Sequence, residues 1–157
     1  MTNPLTASPA DARPAVLRRI LIPVAIAVTV VQAALNALII LGEETGPETD
    51  GRYISSVVIP LVAAVLVFAI VMAWALRQES FGGVALTLSI LGALLLPAFW
   101  FGMTLVVAAA GTLLGWAGLG IAKGIGLSRA AFVIGLLVVV GTLAAYIAVW
   151  IGAPGFN

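Results

Sequence analysis

Residues 94–106 read LLLPAFWFGMTLV and lie within a run, 80–122, that contains no charged side chain. As one α-helix this run would be about 65 Å long at ~1.5 Å per residue. The hydrocarbon core of a bilayer is only ~30 Å thick. A helix of that length would extend beyond the hydrocarbon core even when tilted, so the helix is expected to break within the run.

The quoted stretch supplies such a break. Pro97 lacks a backbone N–H, and its ring clashes with the carbonyl group one turn earlier, so a helix kinks or ends there. Gly102 can adopt the left-handed conformation that closes a helix, and Thr104 can cap the next helix. We therefore predict an outer hairpin, with residues 99–101 in the membrane interface. The alternative is a proline kink within a longer helix, since membrane helices tolerate proline.

The composition makes a bilayer the natural solvent for the chain. Of its 157 residues, 63% are hydrophobic and 8% are charged, whereas a soluble domain carries ~25% charged residues. Too few polar side chains remain to cover a globule of this size in water. Alanine, glycine, valine and leucine are abundant, and six arginines stand against one lysine. That bias is typical of a GC-rich bacterial genome, so we expect a bacterial plasma-membrane protein.

The charge-free runs predict an all-α integral membrane protein, a bundle of five transmembrane helices, with four as the alternative. A single transmembrane domain is expected over residues 17–152. Its crossings are predicted at 20–41, 54–76, 83–100, 103–122 and 130–151. Residues 1–16 are expected to form a disordered cytoplasmic tail, and 153–157 a short outer tail. The first crossing is expected to be a retained anchor, because it is longer than a signal-peptide core and no cleavage site follows it.

The basic residues favour five crossings, because cytoplasmic loops carry an excess of lysine and arginine. With the N-terminus in the cytoplasm and five crossings, six of the seven basic residues lie inside and only Arg52 lies outside. With four crossings, Lys123 and Arg129 move outside. We therefore expect the C-terminus to be outside.

The aromatic residues fit the same arrangement, because tryptophan and tyrosine collect at membrane interfaces. Trp74 is expected at the inner interface, and Trp116 is an exception that lies within the fourth crossing and needs a partner for its indole N–H. The outer interface would hold Tyr53, Trp100, Tyr146 and Trp150.

Three residues are expected to shape helix ends. Pro23 falls in the first turn of the first crossing, where a missing N–H costs little. Pro60 lies about two turns into the second crossing and is expected to bend that helix. Ser128 is expected to cap the fifth crossing after a turn at Gly124 and Gly126.

Gln32 and Asn36 are the most polar side chains predicted inside the membrane. Their spacing puts them on one face of the first crossing, together with Ala25 and Thr29. Polar groups at this depth are costly unless paired, so the face should meet protein or a water-filled cavity. Two interpretations stay open: hydrogen bonding between helices, which we favour, and a polar lining for a ligand.

A stripe of small residues runs down the fourth crossing and includes a G-x-x-x-G pattern. Small residues let helix backbones approach closely in a membrane. The stripe therefore predicts either tight packing within this chain or a face for a partner helix or a second copy. Its members are Ala108, Gly111, Gly115, Gly118 and Ala122.

The outer loop between the first two crossings concentrates carboxylates. Such groups can bind a hard cation, but the spacing does not match a calcium-binding loop, and Gly46 and Pro47 indicate an ordinary turn. We expect a solvated acidic loop that could also dock a basic partner. Its acidic residues are Glu43, Glu44, Glu48 and Asp50.

The sequence also excludes several functions by what it lacks. It contains no cysteine and no histidine, and no ionisable side chain falls within a predicted crossing, so coupled transport is not expected. No nucleophile has a base beside it, so no catalytic residue, cofactor or metal site is predicted, and neither the charge nor the motifs indicate nucleic acid.

The expected function is that of a non-catalytic accessory or scaffold subunit of a larger membrane assembly. The alternative is a passive pore or carrier for a neutral or apolar solute, lined by Gln32 and Asn36 with Thr87 or Thr112. An enzyme acting on lipid is a third hypothesis, and it lacks the polar interfacial cluster that it would need.

Overall fold

The computed structural model describes residues 13–40, 58–78, 81–120 and 124–152, and every structural statement below concerns these residues. They form five helices and no strand. The helices are α1 (Arg13–Ile40), α2 (Val58–Gln78), α3 (Phe81–Leu94), α4 (Met103–Gly118) and α5 (Ile125–Trp150). In α2 the backbone widens to π geometry over Val65–Met72. α1, α2 and α5 are each long and apolar enough to cross a membrane, whereas α3 and α4 are apolar but shorter.

The predicted break in the long apolar run is confirmed. α3 ends at Leu94, a 3-10 helix follows at Leu96–Phe101, and α4 starts after Gly102, whose φ is +76°. The two helices then lie side by side in opposite directions: Gly92 near the end of α3 faces Ala108 near the start of α4. The alternative prediction, one continuous helix with a proline kink, is therefore wrong.

Helices α3, α4 and α5 form a close-packed core. α5 runs antiparallel to α4, because Gly115 faces Phe132 and Gly135 faces Thr112. It therefore runs parallel to α3, and the Ser89 hydroxyl donates a hydrogen bond of 2.8 Å to the Ala131 carbonyl between those two helices. Glycine at the helix–helix contacts permits this close approach of the backbones. The resulting van der Waals contacts stabilise the packing, because in lipid the hydrophobic effect does not drive helices together.

Helices α1 and α2 lie outside this core and pack mainly against α4. They run antiparallel to each other, because Arg18 near the start of α1 donates a hydrogen bond of 2.7 Å to the Leu76 carbonyl near the end of α2. Their mutual contact is limited. The five helices therefore alternate in direction along the chain.

The alternation brings the basic residues of the described helices to one end of the bundle, called the basic end below. The Arg13 guanidinium lies 5.8 Å from the centre of the Trp116 ring near the end of α4. This cation–π contact gives Trp116 a partner at its ring face, whereas the predicted partner for its indole N–H stays a prediction. The basic residues at this end are Arg13, Arg18, Arg19, Arg77 and Arg129.

Helix α1 begins earlier than the sequence predicts. It includes residues 13–16, which the sequence predicts to belong to the disordered tail, whereas residues 1–12 lie outside the described part of the chain. The reason is that Leu17 is fully buried in the core, so helix formation there gains packing. Pro23 consequently lies in the helix interior and not in its first turn, which leaves the Arg19 carbonyl without its usual donor.

The predicted cap of the last helix is also wrong. α5 begins at Ile125 after Gly124, whose φ is +82°, and no side chain of the described residues caps it. Ser128 therefore lies within the first turn, buried against Gly82 and Gly118. Within the described residues its hydroxyl oxygen has no hydrogen-bond partner.

Candidate functional site

The most polar region inside the bundle is a cluster of three buried side chains, Gln32, Asn36 and Tyr146, called the polar cluster below. Gln32 Nε2 donates to Asn36 Oδ1 at 3.0 Å and to the Tyr146 hydroxyl at 2.6 Å. The Tyr146 hydroxyl reaches two acceptors, Asn36 Oδ1 and the Phe99 carbonyl oxygen, the latter at 3.0 Å. Because it carries one proton, it donates to one of them at a time. The cluster thus joins α1 and α5 to the turn between α3 and α4.

That turn, residues 95–102, consists almost wholly of apolar side chains, so its backbone needs partners from elsewhere. The Phe99 carbonyl accepts from the Gly102 N–H at 3.0 Å as well as from Tyr146. The Leu95 carbonyl accepts from the Ala98 N–H at 2.9 Å and from the Thr104 hydroxyl at 2.9 Å. The polar cluster and Thr104 therefore satisfy backbone carbonyls of a turn whose side chains offer no hydrogen bonds.

Thr104 bonds to a backbone carbonyl of the turn and does not cap α4, which is the role that the sequence predicts for it. The residue at the cap position of α4 is Gly102, and no side-chain hydrogen bond caps that helix. The prediction that Thr104 caps α4 is therefore wrong. The physical reason is that Leu95, the last residue before the 3-10 helix, presents a carbonyl within reach of the threonine hydroxyl.

Gly102 is held tightly between α1 and α2. A Cβ atom at this position would lie 2.4 Å from Pro60 Cγ and 2.8 Å from Asn36 Nδ2. Pro60 is buried, so this residue of α2 forms part of the surface that receives the turn. The turn is thus covered on three sides, by α1, α2 and α5.

Tyr146 is the residue of this site whose contacts the sequence did not predict. Its depth at the outer membrane interface stays a prediction, but its side chain faces protein, since only 2% of its surface is exposed. Its ring also packs edge-to-face on Phe99, with centroids 5.1 Å apart. One signal in the sequence could have indicated this contact. Gln32 and Asn36 need hydrogen-bond partners inside the membrane, and a tyrosine near the same end of another helix can provide one.

One atom of the polar cluster remains unpaired. Gln32 is fully buried, and its Oε1 has no hydrogen-bond partner within the described residues. An unsatisfied buried acceptor costs ~1–3 kcal/mol in a protein interior. A molecule with a hydrogen-bond donor could therefore gain from reaching Gln32.

The threonines suggested as pore lining bond to their own helices. Thr87 donates to the Gly83 carbonyl at 3.0 Å, and Thr112 donates to the Ala108 carbonyl at 2.8 Å. Thr29, predicted on the same face as Gln32, donates to the Ala25 carbonyl at 2.7 Å. In this structure none of the three hydroxyls bonds to the polar cluster.

The small-residue stripe of α4 packs inside the chain. Gly111 faces Ala85 and Ser89 of α3, and Gly115 faces the backbone of Phe132 in α5. Gly118 lies against Phe81 and Ser128, and Ala108 is fully buried, whereas Ala122 lies outside the described residues. The described residues of this face of α4 therefore pack against α3 and α5.

The acidic loop, with Glu43, Glu44, Glu48 and Asp50, lies outside the described residues. Among the residues that are described, no group of metal-ligating side chains occurs. Comparison of the chain with protein-family models, curated proteins and solved structures finds no match.

Replacement of Tyr146 by phenylalanine tests the polar cluster. The ring and its contact with Phe99 remain, but the hydroxyl that bridges α1, α5 and the turn is lost. We expect the free energy of unfolding in detergent micelles to fall by ~0.6–1.7 kcal/mol, between the average and the maximum for hydrogen bonds between membrane helices. Thr142→Val is the matched control, because among the described residues the Thr142 hydroxyl bonds only to Val138 of its own helix. Equal losses in both variants would contradict a bridging role.

Proposed function

We propose that all five helices cross the bilayer, with the basic end in the cytoplasm and the C-terminus outside. The support is the position of the arginines, since cytoplasmic segments carry an excess of basic residues. α3 with its 14 residues spans ~21 Å before the turn begins. α4 with 16 residues spans ~24 Å, a mismatch that local bilayer thinning accommodates at modest cost.

A reporter fused after Lys123 tests this topology. With five crossings the fusion lies in the cytoplasm, so a cytoplasm-active fluorescent reporter is expected to work and a phosphatase that requires export is expected to fail. A matched fusion after Gly102 is expected to give the opposite pattern. The same reporter activity at both sites would contradict the proposed hairpin crossing.

We infer that the chain is a non-catalytic accessory or scaffold subunit of a larger assembly in a bacterial plasma membrane. This inference rests on the hydrogen bonds of the polar cluster, whose groups bond mainly to each other and to the turn. The interior of the described bundle therefore offers little polar surface for chemistry. In contrast, only 11% of the membrane span of α1 is buried, which leaves most of that helix for lipid or a partner.

Purification of the intact protein in a mild detergent tests the accessory role. We expect a second polypeptide in fixed stoichiometry, and a complex larger than the monomer by light scattering. Repetition in a harsh detergent should release the partner and serves as the control. A monodisperse monomer in both detergents would contradict this function.

A second candidate function is a passive path for a neutral solute, and the unpaired Gln32 Oε1 favours it. Because Gln32 is fully buried, a solute with a donor group would meet that acceptor when the helices around the polar cluster separate. Flux of neutral solutes into liposomes should then fall strongly in the double variant Gln32→Leu, Asn36→Leu. Unchanged flux would remove this candidate and leave the accessory role untouched.

A further inference from the structure

An apolar groove separates the two peripheral helices. It has a volume of about 370 Å³ and lies between one face of α1, which includes Ala25, Ile26 and Val30, and one face of α2, which includes Leu61 and Phe68. The α2 wall belongs largely to the π segment. One hydroxyl lies in the lining, that of Thr29, and it bonds within α1.

A void in this position would leave its lining without contact partners, which forfeits dispersion energy along both helices. In a bilayer the molecules at hand to fill an apolar groove are lipid acyl chains. They gain no hydrophobic free energy by entering, because lipid is as apolar as the lining. The groove can therefore fix the position of a chain, but it cannot select one lipid from another.

Selectivity requires a polar group at the mouth of the groove, and α1 provides two. Arg18 and Arg19 precede the lining residue Ile22 by four and three positions, so they lie on its face of the helix, about one turn away. Both side chains are exposed. Guanidinium groups bind phosphate oxygens through paired, charge-assisted hydrogen bonds.

Arg18 also spans the end of the groove. Its Nη2 donates to the Leu76 carbonyl of α2, which fixes the guanidinium between the two helices at the basic end. Arg77 follows directly on α2 and is exposed. The acyl-sized channel therefore ends at a cluster of positive charge, which complements an anionic head group.

We propose that the groove between α1 and α2 is a binding site for one anionic phospholipid. Its acyl chain lies along Ala25, Val30 and Phe68, and its phosphate contacts Arg18 and Arg19. The lipid fills the space between two helices that share little direct contact. The site is independent of the accessory role proposed above.

Native mass spectrometry of the intact protein released from nanodiscs tests the proposal. Nanodiscs of phosphatidylglycerol are compared with nanodiscs of phosphatidylcholine. We expect one retained phosphatidylglycerol per chain and weaker retention of phosphatidylcholine. Arg19→Gln should lower phosphatidylglycerol retention about fivefold, which corresponds to one basic residue near an anionic surface. Arg129→Gln removes a charge from the same end on α5 and is expected to change nothing.

A second pair of variants tests the groove itself. Ala25→Leu fills it and should lower retention of the lipid on the order of tenfold through lost chain contacts. Ala27→Leu makes the same change on an exposed face of α1 outside the groove and should retain the lipid. Equal retention in the two variants would overturn the proposal. A dimer that only Ala25→Leu disrupts would also overturn it, because a second copy would then occupy the groove.

Discussion

Replacement of Gly102 by alanine is expected to lower the free energy of unfolding by about 2–4 kcal/mol. Its φ of +76° is a left-handed conformation that costs an L-residue ~1–2 kcal/mol. The added Cβ would also lie 2.4 Å from Pro60 Cγ and 2.8 Å from Asn36 Nδ2, and overpacking of this kind costs ~1–3 kcal/mol. Reversible unfolding in mixed micelles, followed by circular dichroism, measures the loss.

Gly124→Ala is the matched control for this variant. Gly124 also has a positive φ, +82°, but no atom of the described residues lies within 4 Å of the position that its Cβ would take. We therefore expect it to lose only the conformational part, ~1–2 kcal/mol. Equal losses at Gly102 and Gly124 would contradict the close seating of the turn against α1 and α2.

The effect of Gly102→Ala should extend beyond the turn itself. Displacement of residue 102 pushes on Asn36, whose Oδ1 accepts from Gln32. It also shifts Phe99, whose carbonyl accepts from Tyr146. Because these contacts join α1, α2 and α5, we expect the peripheral helices to loosen together with the turn.

The sequence predicted the helical class, and it predicted the turn because the signals for both are local. Charge-free length, a proline and a glycine within residues 94–106 suffice to require a break. The positions of Gln32 and Asn36 on one helix face follow from their spacing alone. The helical class, the turn and this shared face can all be inferred without knowing which helices pack against each other.

Partners across helices could not be predicted in the same way. The bonds of Tyr146 to Gln32 and Phe99 could not be predicted, because water at the membrane interface would satisfy its hydroxyl equally well. Thr104 looked like a cap because that role is local, whereas its bond to Leu95 depends on how the 3-10 helix folds back. The use of the α4 glycines within the chain depends equally on the arrangement of three helices.

The α4 glycines give the second large expected effect. A Cβ at Gly111 would lie 2.5 Å from Ser89 Oγ and 2.8 Å from the Ser89 backbone nitrogen. The serine hydroxyl could rotate away, but the backbone of α3 could not, so α3 and α4 must separate along their length. We expect Gly111→Ala to lower the free energy of unfolding by about 3 kcal/mol, near the upper end for overpacking.

Gly83→Ala is the matched control and should act in the opposite direction. Gly83 lies in α3 of the same hairpin, and within the described part of the chain no atom lies within 4 Å of its expected Cβ. Alanine there gains helix propensity, worth up to ~1 kcal/mol. A stabilised Gly83→Ala beside a destabilised Gly111→Ala would assign the glycine stripe to packing within the chain. If Gly111→Ala instead left the monomer stable and abolished association with a partner helix, the stripe would be an interface and the packing described here would be wrong.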